Sequence, residues 1–172
     1  ALWDACATLH EYEAIIEVGI REKIDLFKKA HEIIAQYLPQ QKKRLLNLRL
    51  QLGKAYRTAG QLNDALDEFN LAEMLYREIK DIAPAEVASL RFELGSTHLT
   101  LGRYAEAEKT LSDALDMALT ADLDKSAPEV LQLRQALAEH ALASGDYDKA
   151  ESSFMEIFND RKKFYDTQPD TN

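Results

Sequence analysis

The sequence predicts an all-α, right-handed α-solenoid of antiparallel helix pairs, about four pairs long with the first degenerate. Three observations predict it. A phrase recurs: Leu52-Gly53-x-x-Tyr56 followed by Gly60, Ala65, Phe69 and Ala72 is echoed by Leu94-Gly95-x-x-His98 followed by Gly102, Ala107, Leu111 and Ala114. A weaker third copy has Leu137-Ala138-x-x-Ala141, then Gly145, Ala150, Phe154 and Ile157. The period is 42 residues from Gly53 to Gly95 and 43 from Gly95 to Ala138, inside the window that marks stacked repeats. Pro (4) and Gly (6) are scarce, so helix formers dominate, and no alternating run of β-branched residues suggests a strand. Within each copy, apolar residues fall three and four apart, the spacing of one helix face.

The first pair is read as Leu2 to about Ile16 and Ile20 to Leu38. Stepping back 42 residues from Phe69 and Ala72 lands on Phe27 and Ala30, a match. The same step from Leu52, Gly53 and Tyr56 lands on His10, Glu11 and Ala14, which is none. Terminal repeats diverge because one side lacks a neighbour.

In the second pair, Leu45, Leu48, Leu52, Ala55, Tyr56 and Ala59 form one apolar face over 43–59. Gly60 ends that helix. Asn63 or Asp64 is expected to cap the next one by accepting from its orphan backbone N–H groups. Ala65, Phe69, Ala72, Leu75, Tyr76 and Ile79 give the second face, and Pro84 opens the next unit. The third pair runs Val87 to Leu101, then Tyr104 to Leu119. The fourth runs Val130 to Ala143, turns at Ser144-Gly145-Asp146, and continues from Tyr147 to about Tyr165. The domain is thus expected over 1–166, with a degenerate repeat at 1–40 and repeats at 43–83, 84–126 and 127–166. Thr167 to Asn172, polar and carrying Pro169, is expected to be a flexible tail.

At these residues the pattern resembles the tetratricopeptide repeat, whose consensus has an aromatic, Leu-Gly, Tyr, Ala, Phe and Ala at fixed offsets. Arg49, Arg91 and Arg134 stand at the aromatic position, a departure. The small residues at Gly53, Gly95, Ala65, Ala107 and Ala150 let paired helices approach closely, and Phe69 and Phe154 are expected to fill the space between units. The period exceeds the ordinary 34 residues by about two helical turns. With the entries Pro84-Ala85-Glu86-Val87 and Ala127-Pro128-Glu129-Val130, it is similar to the lengthened kinesin-light-chain-like subtype. The resemblance is strong over 43–160 and weak over 1–40. It implies a fold and a non-enzymatic protein- or peptide-binding scaffold, since the motif residues are packing residues.

Composition narrows the partners. Net charge is −9, which disfavours nucleic acid, because phosphate binding needs Lys and Arg. The charge is uneven: residues 41–83 hold 8 basic and 6 acidic residues, making this repeat the most hospitable to an acidic partner. No apolar stretch approaches the roughly 18 residues that span a bilayer. The first 20 residues lack Lys and Arg and do not read as a signal peptide. The single cysteine, Cys6, fits a reducing compartment and a cytoplasmic protein. A structural thiol is a better reading of it than a nucleophile. The chain opens on Ala rather than Met and is expected to be one module of a larger protein.

Catalytic and cofactor chemistry finds little to stand on. The glycines serve packing or turns rather than a phosphate loop. His10-Glu11 and His31-Glu32 begin like a zinc-protease motif but have Ala14 and Ala35 where the second His would stand. The four histidines are never paired at ligand spacing, so no metal is expected. No cofactor and no enzyme activity are expected. Lys42-Lys43-Arg44 and Arg161-Lys162-Lys163 read first as solvated helix ends, and second as docking patches for an acidic partner.

The resemblance implies that the first helix of each pair lines a concave face. Its inward positions would be Asn47, Leu50, Gln51, Lys54, Arg57 and Thr58; then Ser89, Phe92, Glu93, Ser96, Leu99 and Thr100; then Gln132, Gln135, Ala136, Glu139, Leu142 and Ala143. Asn47, Gln51, Gln132 and Gln135 can bond an extended peptide backbone. Lys54 and Arg57 form a positive end, Glu93 and Glu139 a negative one, and Phe92 an apolar anchor. A short peptide across the second to fourth repeats is expected, with an acidic residue near Lys54 and Arg57. The alternatives are a merely solvated face, or one covered by another part of a longer protein. Ser89, Phe92, Ser96 and Gln132 stand where chaperone-tail clamps carry Lys and Asn, which argues against that role. Two rival functions remain. The chain could self-associate through an end face, since the last helix carries Phe154, Ile157, Phe158, Phe164 and Tyr165. It could also be the regulatory sensor of a larger nucleotide-binding signalling protein.

Overall fold

The computed structural model describes residues 2–15 and 19–167, with backbone alone at 12, 14, 15 and 163–167. The described residues form helices and no strands, grouped into two compact units, Ala1–Ile82 and Ala83–Asn172. The first unit holds α1 (Leu2–Ile15), α2 (Ile20–Tyr37), α3 (Lys42–Thr58) and α4 (Leu62–Glu78). The second holds α5 (Pro84–Thr100), α6 (Tyr104–Thr120), α7 (Pro128–Ala143) and α8 (Tyr147–Thr167). Helices pack in the expected pairs, α1 on α2, α3 on α4, α5 on α6 and α7 on α8. Further packing joins α2 to α3, α6 to α7 and α5 to α7. Of the tail expected at 167–172, residues 168–172 lie outside the described residues, as do the side chains of Phe164 and Tyr165.

The sequence dictates where the first helices stop. Gly60, Gly102 and Gly145 have φ of 76°, 71° and 83°, the left-handed region that side chains with a Cβ avoid. Each closes the helix the same way. At Gly60, Gln61 N–H donates to the Tyr56 carbonyl (2.9 Å) and Gly60 N–H to that of Arg57 (3.0 Å). Arg103 on His98 and Asp146 on Ala141 repeat it. This paired closure satisfies carbonyls that a helix end otherwise orphans. Pro84 and Pro128 open α5 and α7 at the first turn, where a missing N–H costs nothing.

The cap expected from Asn63 or Asp64 is not found. The helix starts earlier, with Gln61 at the N-cap position and no side-chain cap bond. A single residue, Gln61, separates Gly60 from the first helical residue, Leu62. Gln61 Nε2 instead donates to Asp64 Oδ2 (3.2 Å) in the first turn.

The repeat glycines are contact points within pairs. A Cβ on Gly53 would meet the Phe69 ring (2.7 Å from Cδ1), and one on Gly95 would lie 2.6 Å from Leu111 Cγ. Phe69 and Leu111 are fully buried. Phe69 therefore fills the space between paired helices rather than between repeats. Phe154, the third counterpart, stands opposite a copy with Ala138 in place of glycine and is 37% exposed. In the second unit one apolar cluster joins Ala88 of α5, Leu111, Ala114 and Ala118 of α6, and Val130, Leu133 and Ala136 of α7.

The arginines at the aromatic position have a structural role. Arg49 Nη1 donates to Glu68 Oε2 (2.7 Å) across α3 and α4. Arg134 Nη1 donates to Asp160 Oδ2 (2.6 Å), and its Nη2 to Glu156 Oε2 (3.3 Å), across α7 and α8. Arg91 Nη1 lies 2.6 Å from Met117 Sδ on α6. A long cationic side chain thus reaches the second helix from the position where the repeat consensus has an aromatic.

Candidate peptide-binding face

Among the described residues no group of three His, Cys, Asp or Glu could hold a metal ion, and no helix is long and apolar enough to cross a membrane.

In the first unit, the face proposed from α3 places Asn47 and Thr58 in solvent and leaves Leu50, Gln51, Lys54 and Arg57 half-exposed. Thr58 Oγ1 donates to the Lys54 carbonyl (2.9 Å), so this hydroxyl is spent within the helix. Nearby, Lys28 Nζ stands 5.4 Å from the centre of the Tyr56 ring, a cation–π distance. Its pKa is raised, first by the hydrogen bond with Tyr56.

In the second unit, α5 and α7 pack against each other and bring two first helices side by side. On α7, Gln132, Gln135, Glu139, Leu142 and Ala143 are exposed while Ala136 is buried. On α5, Ser89, Phe92, Ser96 and Leu99 are half-buried and Thr100 is exposed. Phe92 packs against the apolar cluster, so it presents an edge of the core rather than a protruding anchor. Glu93 is only 6% exposed. That burial takes it out of the ligand-facing set, because a side chain withdrawn from solvent cannot form the negative end of an open face.

Gln135 Nε2 donates to Glu139 Oε1 (2.9 Å), and Gln135 Oε1 accepts from Arg161 Nη2 (3.4 Å). A ligand using the Gln135 amide would replace these exposed bonds, which water competes for already.

The basic cluster at the start of α3 is spent internally. Arg44 donates to Asp4 Oδ1 (2.7 Å), Glu11 Oε1 (2.7 Å) and Thr8 Oγ1 (2.7 Å), tying α1 to α3. Its pKa is raised, first by the hydrogen bond with Glu11, and that of Asp4 is lowered by bonds from Gln41 and Arg44. Lys42 pairs with Glu78 (2.9 Å), and Lys43 donates to the Asp81 carbonyl (2.9 Å). These contacts make Lys42-Lys43-Arg44 a structural clamp within the first unit. Sequence spacing could not reveal it, since the partners lie 33 to 40 residues away.

A cleft of about 450 Å³ lies between α6, α7 and α8, lined by Leu115, Leu119, Lys125, Arg134, Glu156, Asn159 and Asp160. Arg134 is already bridged to both acids there, so the cleft is largely the setting of that ion pair.

Residues 86–163 match the family model of the tetratricopeptide repeat. That segment is similar to tetratricopeptide repeats, and the fold of the chain is similar to that of kinesin-light-chain repeats. Its fold is that of three solved structures. Tetratricopeptide-like repeats of a putative kinesin light chain from Podosopora anserina superpose with a TM-score of 0.71 at 20% identity, over 86% of this chain and 69% of theirs. BtubC (BKLC) from P. vanneervenii gives 0.74 at 19%, over 98% of this chain and 64% of its own. The Rap conjugation gene regulator of plasmid pLS20, in complex with the Phr* peptide, gives 0.70 at 18%, over 90% and 40%. The chain thus spans under two thirds of the last two. No curated protein matches the sequence. Stacked repeats of this kind create extended surfaces suited to binding.

Proposed function

We propose that the chain is a non-enzymatic interaction module that binds an extended peptide on the exposed faces of its first helices. The observation that carries the reading is the side-by-side packing of α5 and α7. On this reading Ser89, Phe92 and Ser96 of α5 would form a mixed strip with Gln132, Gln135 and Glu139 of α7, in which amides and hydroxyls could exchange bonds with a peptide backbone. The half-buried Phe92 edge would receive one apolar side chain. The first unit would offer a separate face on α3, with Asn47, Leu50, Gln51, Lys54 and Arg57, whose two cations would draw an acidic ligand residue. Such cations act most on encounter rate and selectivity. The peptide complex of the Rap relative lends the reading support by analogy of fold. The proposed setting is the cytoplasm, and the partner is a protein segment rather than nucleic acid.

A displayed peptide library selected on the folded chain tests this. Enrichment of sequences with Asp or Glu, lost on Lys54→Glu/Arg57→Glu, supports it. Enrichment indifferent to that change, or none, removes the assignment.

A further inference from the structure

We infer that Met117 is a reversible oxidation site whose sulfoxide is held by Arg91, so that a hydroperoxide tightens the α5–α6 pair instead of loosening it. The repeat supplies the comparison. A step of 42 and then 43 residues superimposes Leu75, Met117 and Asp160 on the second helices, as it superimposes Arg49, Arg91 and Arg134 on the first. Arg134 donates to Asp160 Oδ2 (2.6 Å). Arg49, whose pair has Leu75 at that place, donates to Glu68 instead (2.7 Å). Arg91 Nη1 lies 2.6 Å from Met117 Sδ. One place in the pair thus holds a carboxylate oxygen in one copy and a thioether sulfur in another.

The two acceptors differ in strength. A thioether sulfur is a weak acceptor, so a guanidinium N–H gains little from it. A sulfoxide is polar and presents an oxygen, and a bond from an ionised donor is roughly twice as strong as a neutral one. Hydrogen peroxide is the oxidant of the step. A sulfur lone pair attacks one peroxide oxygen, the O–O bond breaks and an S–O bond forms. The proton on the transferred oxygen passes to the leaving hydroxide, giving water. Sulfur is oxidised by two electrons and the peroxide is reduced by two.

Met117 is placed both to react and to be held afterwards. It is 39% exposed, so peroxide reaches it. That exposure belongs to the interior of the repeat array, because α6 is packed by α5 and by α7. Ala114 and Ala118 beside it are buried, whereas Asp113 and Asp116 are exposed, which puts Met117 at the edge of the packed face. Its unbranched side chain can draw back by the length of the new bond without disturbing the core. Arg91 has a further interaction of its own, so the guanidinium keeps its place while the acceptor changes.

Peroxide treatment of the 172-residue chain carrying Cys6→Ala, Met74→Leu and Met155→Leu tests this. Met117 is then the one thioether left of the three, and circular dichroism verifies folding. Peptide mass mapping is expected to place one added oxygen on Met117, removable by methionine sulfoxide reductases. The oxidised chain is expected to melt about 2–4 °C above the reduced one, and Arg91→Ala to abolish the gain. Met117→Gln has similar helix propensity and carries an amide oxygen near the place of the sulfoxide oxygen. It should raise the midpoint by a similar amount with no oxidant. Failure of peroxide to modify Met117 in the folded chain overturns the proposal. So does an oxidised chain that melts with or below the reduced one. A gain that survives Arg91→Ala overturns it too, as does, where that variant does not fold, a Met117→Gln chain no more stable than its parent.

Discussion

Gly95 lies directly against Leu111: a Cβ placed on it would come within 2.6 Å of Leu111 Cγ and 2.7 Å of Cδ2. One helix of the pair has given up its side chain so that the other can seat a branched one, and the same relation holds between Gly53 and Phe69.

Gly95→Ala is therefore expected to destabilise. Alanine would gain about 1 kcal/mol in helix propensity, but overpacking a filled core costs about 1–3 kcal/mol, and Leu111 has no exposed space to move into. Gly53→Ala should cost more, because a phenyl ring yields less than an isobutyl group. Urea denaturation checks both. A neutral Gly53→Ala would show that α3 and α4 can separate without loss.

The Arg49–Glu68 bridge should be energetically coupled, and the Lys42–Glu78 pair should not. The first has both side chains 18% exposed, the second 45% and 58%. A double-mutant cycle to alanine is expected to give more than about 1 kcal/mol for Arg49–Glu68, and less than about 0.5 kcal/mol for the exposed pair. Equal values would contradict the view that Arg49 helps to hold α3 on α4.

Stability should fall as the medium is acidified below pH 6.5. His98 has its pKa lowered from 6.5 by burial first and by Arg103 second, with Glu106 opposing. Its buried Nδ1 has no hydrogen-bond partner among the described residues. His31 is lowered by burial and by Arg49, with Glu32 opposing. A histidine whose folded pKa is depressed binds its proton more readily when unfolded, so acid favours unfolding. The loss begins near 6.5 and continues down to the folded values. His98→Tyr, which installs the residue found at Tyr56, should flatten part of that slope in thermal melts. An unchanged slope would assign the loss to other groups.

Arg44→Ala should loosen α1 and leave α3 and α4 in place, because Arg44 links α1 to α3 through Asp4, Thr8 and Glu11. Faster amide exchange confined to residues 2–15 is the expected readout. Arg44→Lys should rescue it only in part, since an ammonium cannot reproduce the guanidinium fork. Loss of the whole fold would mean that the first pair is not separable.

The helix pairs were legible because their determinants are local. Gly60, Gly102 and Gly145 supply the left-handed turn, Pro84 and Pro128 the first turn, and the apolar spacing the face. What was not legible depends on side chains meeting across pairs. Arg49 reaches an acid 19 residues on, whereas Arg134 reaches one 26 residues on, so no fixed offset announces the bridge. Phe154 repeats Phe69 in sequence and yet stands partly in solvent, in the copy that has Ala138 where the other two have glycine. On the candidate face, position alone put Glu93 and Gln132 on the same footing. Only packing separates the buried carboxylate from the exposed amide.

The most direct test of the account asks which helices a selected peptide touches. Benzoylphenylalanine placed at Ser96, at Gln132 and, as a control, at exposed Asp113 on α6 would be irradiated with the tightest-binding library peptide. Crosslinks at Ser96 and Gln132 and none at Asp113 are predicted. Crosslinking at Asp113 with none at the other two would contradict a ligand face on the first helices.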